Sequence, residues 1–276
     1  MSSGYLVKDI LKEITLKLAP NVKRASREAQ LLLMHHLGVD ELWLITNQDT
    51  LVKESEKLLK MAHRRAKDEP LEYITQRVSF YSEEFFISKG ALIPRPETEL
   101  LIDEVLKNID DKNADMTIAE VGVGSGIISI MLAKFLPNAK IIAVDISEAA
   151  LEIAKKNIHM FNLQKRVELR LGSFLKPIDE HIDYLVSNPP YIANDAALEA
   201  NLSYEPQNAL FGGVIGDEMI KKLLDEVLSR NINFLTCEMG YDQKDKIVAY
   251  LKDRSFGEIA FYKDYSSFDR GFTLRL

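Results

Sequence analysis

Cysteine is nearly absent. The 276 residues include one, Cys237. It sits in the apolar run Phe234-Leu235-Thr236-Cys237, so no disulfide can form within the chain, and the thiol reads as a small core residue in a reducing compartment, the cytoplasm. Long apolar runs are also missing. None approaches the ~20 residues that span a bilayer, and MSSGYLVKDILKE lacks the cationic-then-apolar order of a secretory signal, so no membrane partner is expected. Histidine is sparse: five are scattered along the chain. The adjacent pair His35-His36 points in different directions on a helix, so no metal site is expected. Positive charge is in deficit, with 35 Lys and Arg against 42 Asp and Glu and a net charge of −7. That balance argues against a long nucleic acid as the main partner, and no direct nucleic-acid contact is expected. The deficit is uneven: residues 1–77 carry 13 basic and 11 acidic residues, the remainder 22 and 31.

What is present falls into two halves of different periodicity. In the first, Leu6, Val7, Ile10, Leu11, Ile14 and Leu18 recur at helical spacing, and Ala25, Ala29, Leu32, Leu33 and His36 mark a second helix with Gly38 placed to stop it. Asp40 is placed to cap the short ELWLIT turn, and ESEKLLKMAHRRAKD supplies another amphipathic helix ending before Pro70. Residues 1–77 therefore read as a small all-helical domain. RVSFYSEEFFISKG then alternates aromatic and polar residues as a β-hairpin does, and 78–95 reads as a connector. It leads into ALIPRPETEL, a proline-braced loop that opens a helix at about Glu97. From Thr117 onward, apolar strands at 117–121, 140–145, 166–171, 183–187 and 232–238 alternate with helical patterns at 126–136, 147–161, 217–230 and 241–252. Two further β-like runs, 257–263 and 271–276, close the chain. Such alternation predicts an α/β domain over 96–276, a mostly parallel seven-stranded sheet covered on both faces.

The first of these strands ends in AEVGVGSGIISI, with Gly122, Gly124 and Gly126 ahead of a helix. Glycines there let the backbone turn sharply and approach a ligand, and the helix N-terminus offers free N–H groups. Asp145 ends the next strand, where a carboxylate can accept hydrogen bonds from both hydroxyls of a ribose. Dinucleotide sites usually carry G-x-G-x-x-G. The spacing here, E-x-G-x-G-x-G from Glu120 to Gly126, resembles that of S-adenosylmethionine-dependent methyltransferases. The resemblance implies a Rossmann-like fold whose loop cradles the methionine part of S-adenosyl-L-methionine, with the acid ahead of the glycines holding the ammonium end.

After the fourth strand of the alternation, Asn188-Pro189-Pro190-Tyr191 follows the apolar run Tyr184-Leu185-Val186. Two prolines fix their own φ and push the residues before them out of the helical region, so the segment is stiff and extended. A passive strand-ending turn would need no more than that. Placed downstream of such a glycine loop, however, the motif resembles methyltransferases that act on planar nitrogen, the amino group of adenine or the side-chain amide of glutamine. The residue types suit that chemistry. The lone pair of an amide nitrogen is delocalised, and the nitrogen is a poor nucleophile. Asn188 Oδ1 and the Pro189 carbonyl can each accept one N–H of an –NH₂ group, orient it, and favour its pyramidal form as positive charge develops. Tyr191 offers a flat face to the planar group.

LIPRPETELL, NPPYI, YEPQNALFGGVIG and CEMGYDQ together resemble the protein-(glutamine-N5) methyltransferases that modify peptide chain release factors. The likeness runs from the helical half to the C-terminus. It implies a cytoplasmic, monomeric enzyme whose helical domain engages the release factor and whose acceptor is the glutamine of a Gly-Gly-Gln motif. Carried over by position, Gly122, Val123, Gly124, Ser125, Gly126 and Asp145 hold the cofactor with Glu120, and Phe174 flanks the adenine. Asn188 serves both cofactor and substrate, and 188–191 clamp the amide. Arg95, Glu97 and Thr98 stand in the proline-braced loop, where either a cover for the site or a plain helix start with its capping acid accounts for them. Two positions depart from the family: Ser173 stands where Asp is usual, and Glu120 replaces the commoner Asp. The alternatives are a glutamine methyltransferase of a ribosomal protein and an adenine-N6 nucleic-acid methyltransferase. The second would want a basic groove and base-reading loops, which this acidic half does not supply.

Overall fold

The computed structural model of this chain describes residues 5–276 except residue 231. Its contacts divide into two compact units, Met1–Arg77 with Glu199–Tyr204, and Val78–Leu198 with Glu205–Leu276.

The first unit begins with β1 (Tyr5–Leu6) and α1 (Val7–Leu18), followed by α2 (Ala25–Leu37), α3 (Glu41–Thr46), β2 (Leu51–Val52), α4 (Ser55–Arg65) and α5 (Leu71–Thr75). Val7, Ile10, Ile14 and Leu18 line one face of α1 and are fully buried, as their i, i+3, i+4 spacing demands. They meet Ala29, Leu32 and Leu33 of α2 and Leu58 of α4 in a core of the unit's own. Gly38 ends α2 at φ 68°, and the Asp40 side chain accepts from the Trp43 N–H at 2.8 Å to start α3. The 3₁₀ turn Ala200–Tyr204 belongs to this unit, where the Tyr204 hydroxyl donates to the Lys67 carbonyl at 2.7 Å.

The second unit opens with the hairpin of β3 (Arg77–Phe80) and β4 (Glu83–Phe86). Its two turn residues, Tyr81 and Ser82, both have positive φ, 50° and 59°. That is the mirror-image turn matching the twist of paired strands. Next come α6 (Thr98–Lys107), β5 (Thr117–Val121), α7 (Ile127–Phe135), β6 (Lys140–Asp145), α8 (Glu148–Met160), β7 (Val167–Leu171) and β8 (Tyr184–Ser187). After them lie β9 (Ile192–Ala193), α9 (Gln207–Leu210), β10 (Phe211–Gly213), α10 (Glu218–Arg230), β11 (Phe234–Glu238), α11 (Lys244–Leu251), β12 (Glu258–Lys263) and β13 (Asp269–Arg275). Seven strands form one sheet in the order β12-β13-β11-β8-β5-β6-β7. Only β13 opposes its neighbours; β11, β8, β5, β6 and β7 run parallel. A sheet covered on both faces has no polar face to present, and Ile118, Ala119, Leu185, Val186, Leu235 and Cys237 are accordingly all fully buried. The alternation read from the sequence holds throughout. What it did not reveal is the small parallel pair of β9 and β10, because two or three residues leave no readable periodicity. No helix among the described residues is long and apolar enough to cross a membrane.

Strand register lines up the polar residues at one end of the sheet. Ser187 pairs with Val121 on one side and Cys237 on the other. Val121 pairs with Val144. The next residue along each strand, Asp145, Gly122, Asn188 and Glu238, therefore falls in one row at the carboxyl edge, the end where parallel sheets place ligands.

The glycine loop that follows β5 has two different constraints. Gly124 has φ +54° and open space where a Cβ would be, whereas Gly126, at φ +84°, would set a Cβ 3.1 Å from the Ala154 Cβ of α8. Gly124→Ala should cost about 1 kcal/mol, the strain of a left-handed residue. Gly126→Ala adds overpacking between helices and should cost about 3 kcal/mol. Denaturant unfolding of the two variants checks the difference; equal losses would show that α7 and α8 yield freely.

Candidate active site

A cavity of about 370 Å³ opens at the carboxyl edge of the sheet, within the size range of small-molecule sites. One wall is the glycine loop, with Gly122, Val123, Gly124 and Ser125 on its surface. The loop is fixed by the N–H groups of Gly122 and Val123, which both donate to the Val144 carbonyl, at 2.8 and 3.0 Å. Gly126 does not reach the cavity. It caps α7 and lets α8 pack close, the packing role of a third glycine.

Asp145 lies at the cavity beside this loop. Its Oδ2 accepts from the Gly124 N–H and its Oδ1 from the Ser147 N–H, each at 2.9 Å. Burial pushes its carboxyl above the usual range, and the N–H groups of Gly124, Ser147 and Ile146 draw it back. The carboxylate is thus held rigidly, with lone pairs left for a further donor.

Glu120 is not on the cavity wall. It is fully buried beneath the loop, where Oε2 accepts from the Ser129 hydroxyl and Oε1 has no partner among the described residues. The cavity fits a nucleoside bearing an amino acid: a carboxylate with lone pairs to spare, a glycine loop with free space and an apolar slot. Phe174 lines that slot and takes φ 53°, a conformation rare for a non-glycine residue. The turn is held because the Leu175 N–H donates to Glu226 Oε2 at 2.8 Å. Ser173 also faces the cavity, with a hydroxyl in place of a carboxylate.

The opposite wall is Asn188, Pro189 and Pro190. Asn188 Nδ2 donates to the Thr98 hydroxyl oxygen at 3.1 Å. Thr98 in turn donates to Glu238 Oε2 at 2.8 Å, and the Tyr191 hydroxyl donates to Glu238 Oε1 at 3.2 Å. With its NH₂ end tied back, Asn188 has Oδ1 left to accept, and Pro189 is its neighbour on the wall. Tyr191 lies behind this wall rather than on it, and burial together with the Glu238 charge pushes its phenol well above the ordinary range. The backbone of the motif is buttressed closely. A Cβ on Gly212 would come 2.4 Å from the Pro190 carbonyl oxygen, and one on Gly216 would come 2.5 Å from that of Tyr191. Gln243 Nε2 donates to the carbonyls of Tyr191 and Gly216, both at 3.0 Å.

The proline-braced loop covers part of the cavity with Leu92, Pro94, Arg95 and Thr98. Arg95 is tied to the buried Glu205 at 2.6 Å, and the same carboxylate accepts from the Ile93 N–H at 2.9 Å. Glu97 stands at the start of α6 but makes no side-chain capping bond and does not reach the cavity. Of the residues singled out in the sequence, the fold thus gathers Gly122–Ser125, Asp145, Phe174, Asn188–Pro190 and Arg95 around one cavity. It sets Glu120, Gly126, Tyr191 and Glu97 away from its wall. Sequence reasoning missed Glu205, Glu238 and Gln243, although each lies in a stretch that carries the family resemblance; only burial marks them out, and burial of a lone acid is not written in local periodicity.

Comparison with known proteins adds independent findings. Residues 9–75 match the family model described as the PrmC N-terminal domain, and residues 96–207 match the Methyltransferase small domain. A release factor glutamine methyltransferase of Clostridium botulinum is 37% identical over 278 residues, covering 95% of this chain and 97% of that protein. One from Buchnera aphidicola subsp. Schizaphis graminum is 35% identical over 277 residues, covering 98% of each. Among solved structures, the hMettl16 catalytic domain in complex with MAT2A 3′UTR hairpin 6 superposes with a TM-score of 0.59 at 14% identity, covering 82% of this chain and 84% of that one. That is a likeness of fold.

Burial pushes the Glu120 carboxyl up to about 8; bonds from Ser129 lower it and the Asp145 charge raises it. A glutamate in the unfolded chain titrates at about 4.3. Between those values the folded protein keeps a proton that the unfolded chain has released, so stability falls as pH rises through the window and levels off above it. Glu120→Gln has no such proton. Wild-type stability relative to this variant should therefore drop by a few kcal/mol from about pH 5 to pH 8, near 1.4 kcal/mol per unit. Parallel stability curves would contradict it.

Proposed function

This chain belongs to the release factor glutamine methyltransferase family, and we propose that it methylates the side-chain amide nitrogen, N5, of the glutamine in the Gly-Gly-Gln motif of a peptide chain release factor. S-adenosyl-L-methionine supplies the methyl as an electrophilic sulfonium substituent. The observation that carries the reading is the tethered Asn188. Its Nδ2 is engaged by Thr98, which leaves Oδ1 as the end free to accept, and Pro189 lines the same wall.

Asn188 Oδ1 and the Pro189 carbonyl, as acceptors, match the two N–H bonds of a primary amide. Held there, the amide nitrogen is turned with its lone-pair face toward the cofactor side of the cavity, formed by the glycine loop and Asp145. The acceptors strengthen their hold as positive charge grows on the nitrogen, so they bind the transition state better than the ground state. Stiffness from Pro189 and Pro190 means little entropy is lost in aiming them. The new N–CH₃ bond would form as the S–CH₃ bond breaks to leave a neutral thioether, and the N–H proton would then pass to water, so no general base is required. Asp145 holds the ribose, Gly122–Ser125 shape the methionine end, and Phe174 flanks the adenine. Arg95, pinned by Glu205, braces the loop over the cavity. A glutamine side chain alone offers little binding energy, so recognition of the protein substrate falls to surfaces elsewhere. The helical unit, with its own core and the exposed apolar side chains Leu16, Leu42, Ile45 and Leu51, supplies such a surface to a monomeric enzyme.

Labelled S-adenosylmethionine offered with release factor, ribosomal proteins, rRNA and DNA should mark the release factor, and a factor whose Gly-Gly-Gln glutamine is replaced should stay unlabelled. Label on ribosomal protein or RNA alone would overturn the reading. Asn188→Ala should lower kcat by roughly 10²–10³-fold while cofactor affinity changes little. Asp145→Ala should do the reverse, weakening cofactor binding by about 1.5–3 kcal/mol for each charge-assisted bond lost. Calorimetry and single-turnover rates separate the two.

A further inference from the structure

Behind the Asn188 wall, four side chains form one directed line of hydrogen bonds: Asn188 to Thr98, Thr98 to Glu238, and Tyr191 to Glu238 from the other side. Glu238 ends β11, is almost wholly buried and does not touch the cavity. An ionised carboxylate has lone pairs only and cannot donate. Both hydroxyls must therefore give it their protons. Thr98, its hydrogen committed to Oε2, has only lone pairs left to offer Asn188, and these can receive only the NH₂ end of the amide. The direction of every bond is dictated by the carboxylate at the end of the line.

We infer that Glu238 is a positioning residue for methyl transfer: acting through the Thr98 hydroxyl, its carboxylate decides which end of the Asn188 side chain faces the acceptor amide. This rests on the function proposed above. If the carboxyl takes up a proton, it can donate to Thr98. Thr98 then donates to Asn188 Oδ1, and the amide turns over. An NH₂ group would then meet the NH₂ of the substrate, donor against donor, with the acceptor gone. The proton adds to one carboxylate oxygen and no other bond is made or broken.

The groups facing Glu238 come from every neighbouring element. They are Glu97 and Thr98 at the start of α6, Tyr191 after β8, Arg270 of β13, Tyr262 of β12 and Cys237 beside it on β11. Arg270 is itself held by Asp264 at 2.7 Å. Burial pushes the Glu238 carboxyl up to about 7; bonds from Thr98 and Tyr191 and the Arg270 charge draw it down, while Glu97 adds to the rise. Neither the sulfonium nor a glutamine amide titrates nearby, so with saturating cofactor the wild-type kcat should fall as pH drops below about 7, approaching tenfold per unit.

Glu238→Leu removes both the charge and the acceptor for the Thr98 hydroxyl. At pH 8 it should lose on the order of 100-fold in kcat, with KM for release factor and Kd for S-adenosylmethionine within about threefold of wild type, and its pH profile should be flat. Thr98→Val removes the hydroxyl and should lose as much, whereas Thr98→Ser restores the line and most of the rate. The double variant Thr98→Val/Glu238→Leu should be no worse than either single change, since one line is broken once. The Thr98 pair leaves the carboxylate in place, so the decision does not hang on how Glu238→Leu folds. Wild-type kcat in Thr98→Val, additive losses in the double variant, or a wild-type profile flat between pH 6 and 8 would each overturn the inference. Wild-type enzyme that leaves the release-factor glutamine unlabelled would instead overturn the function on which it rests.

Discussion

The parallel pairing of β8 between β5 and β11 is the constraint from which the site follows. Because Val121, Ser187 and Cys237 share one rung, the residues that follow them, Gly122, Asn188 and Glu238, emerge side by side without any loop having to search for its place. Asp145 joins through the pairing of Val144 with Val121. Strand side chains alternate faces with a period of two, so a slip of one residue in β8 would turn Asn188 away and bury the wrong set of side chains. The buried faces of Leu185 and Val186 thus do two things at once. They supply the apolar area that holds the sheet together, and they fix the aim of the polar atoms just beyond.

That economy concentrates acids where water is scarce. Glu120, Asp145 and Glu238 stand at or near the same edge, and burial raises the carboxyl of each. A fold optimised for stability alone would place apolar residues there, since desolvating a carboxylate is costly unless donors surround it. Here the donors are backbone N–H groups for Asp145 and hydroxyls for Glu238. Glu120 keeps one oxygen without a donor among the described residues. Polar groups left partly satisfied are what a binding site needs and a core avoids, which is why these acids break the local rule that apolar strands otherwise obey.

Much of this was legible in the sequence because its signals are local. Strand and helix patterns from Thr117 onward, the stop at Gly38, the cap at Asp40 and the glycine loop each depend on neighbouring residues. Asn188-Pro189-Pro190-Tyr191 announced itself because prolines restrict the backbone wherever they stand. The Glu238–Thr98–Asn188 line was not legible: its members are 90 and 140 residues apart in the chain, and only the register of β8 on β11, with α6 packed against β11, unites them. Glu205 escaped notice for the same reason, as its partners Ile93 and Arg95 lie more than a hundred residues upstream. Tyr191 was read as a face for the substrate, whereas the fold turns its hydroxyl toward Glu238.

Gly212 and Gly216, pressed against the Pro190 and Tyr191 carbonyls, set a limit on how this sequence can drift. Elsewhere on the surface, a substitution is absorbed by a rotamer or a shifted loop. At these two positions even a methyl group displaces the backbone of Pro190 and Tyr191, and the damage is delivered beside the cavity rather than diluted through the core. Neutral variation is closed there by geometry alone. A lineage carrying this fold can change the exposed faces of its helical unit one residue at a time. It has no comparable freedom beneath Pro190 and Tyr191, where heritable change is confined to alterations that keep hydrogen as the side chain.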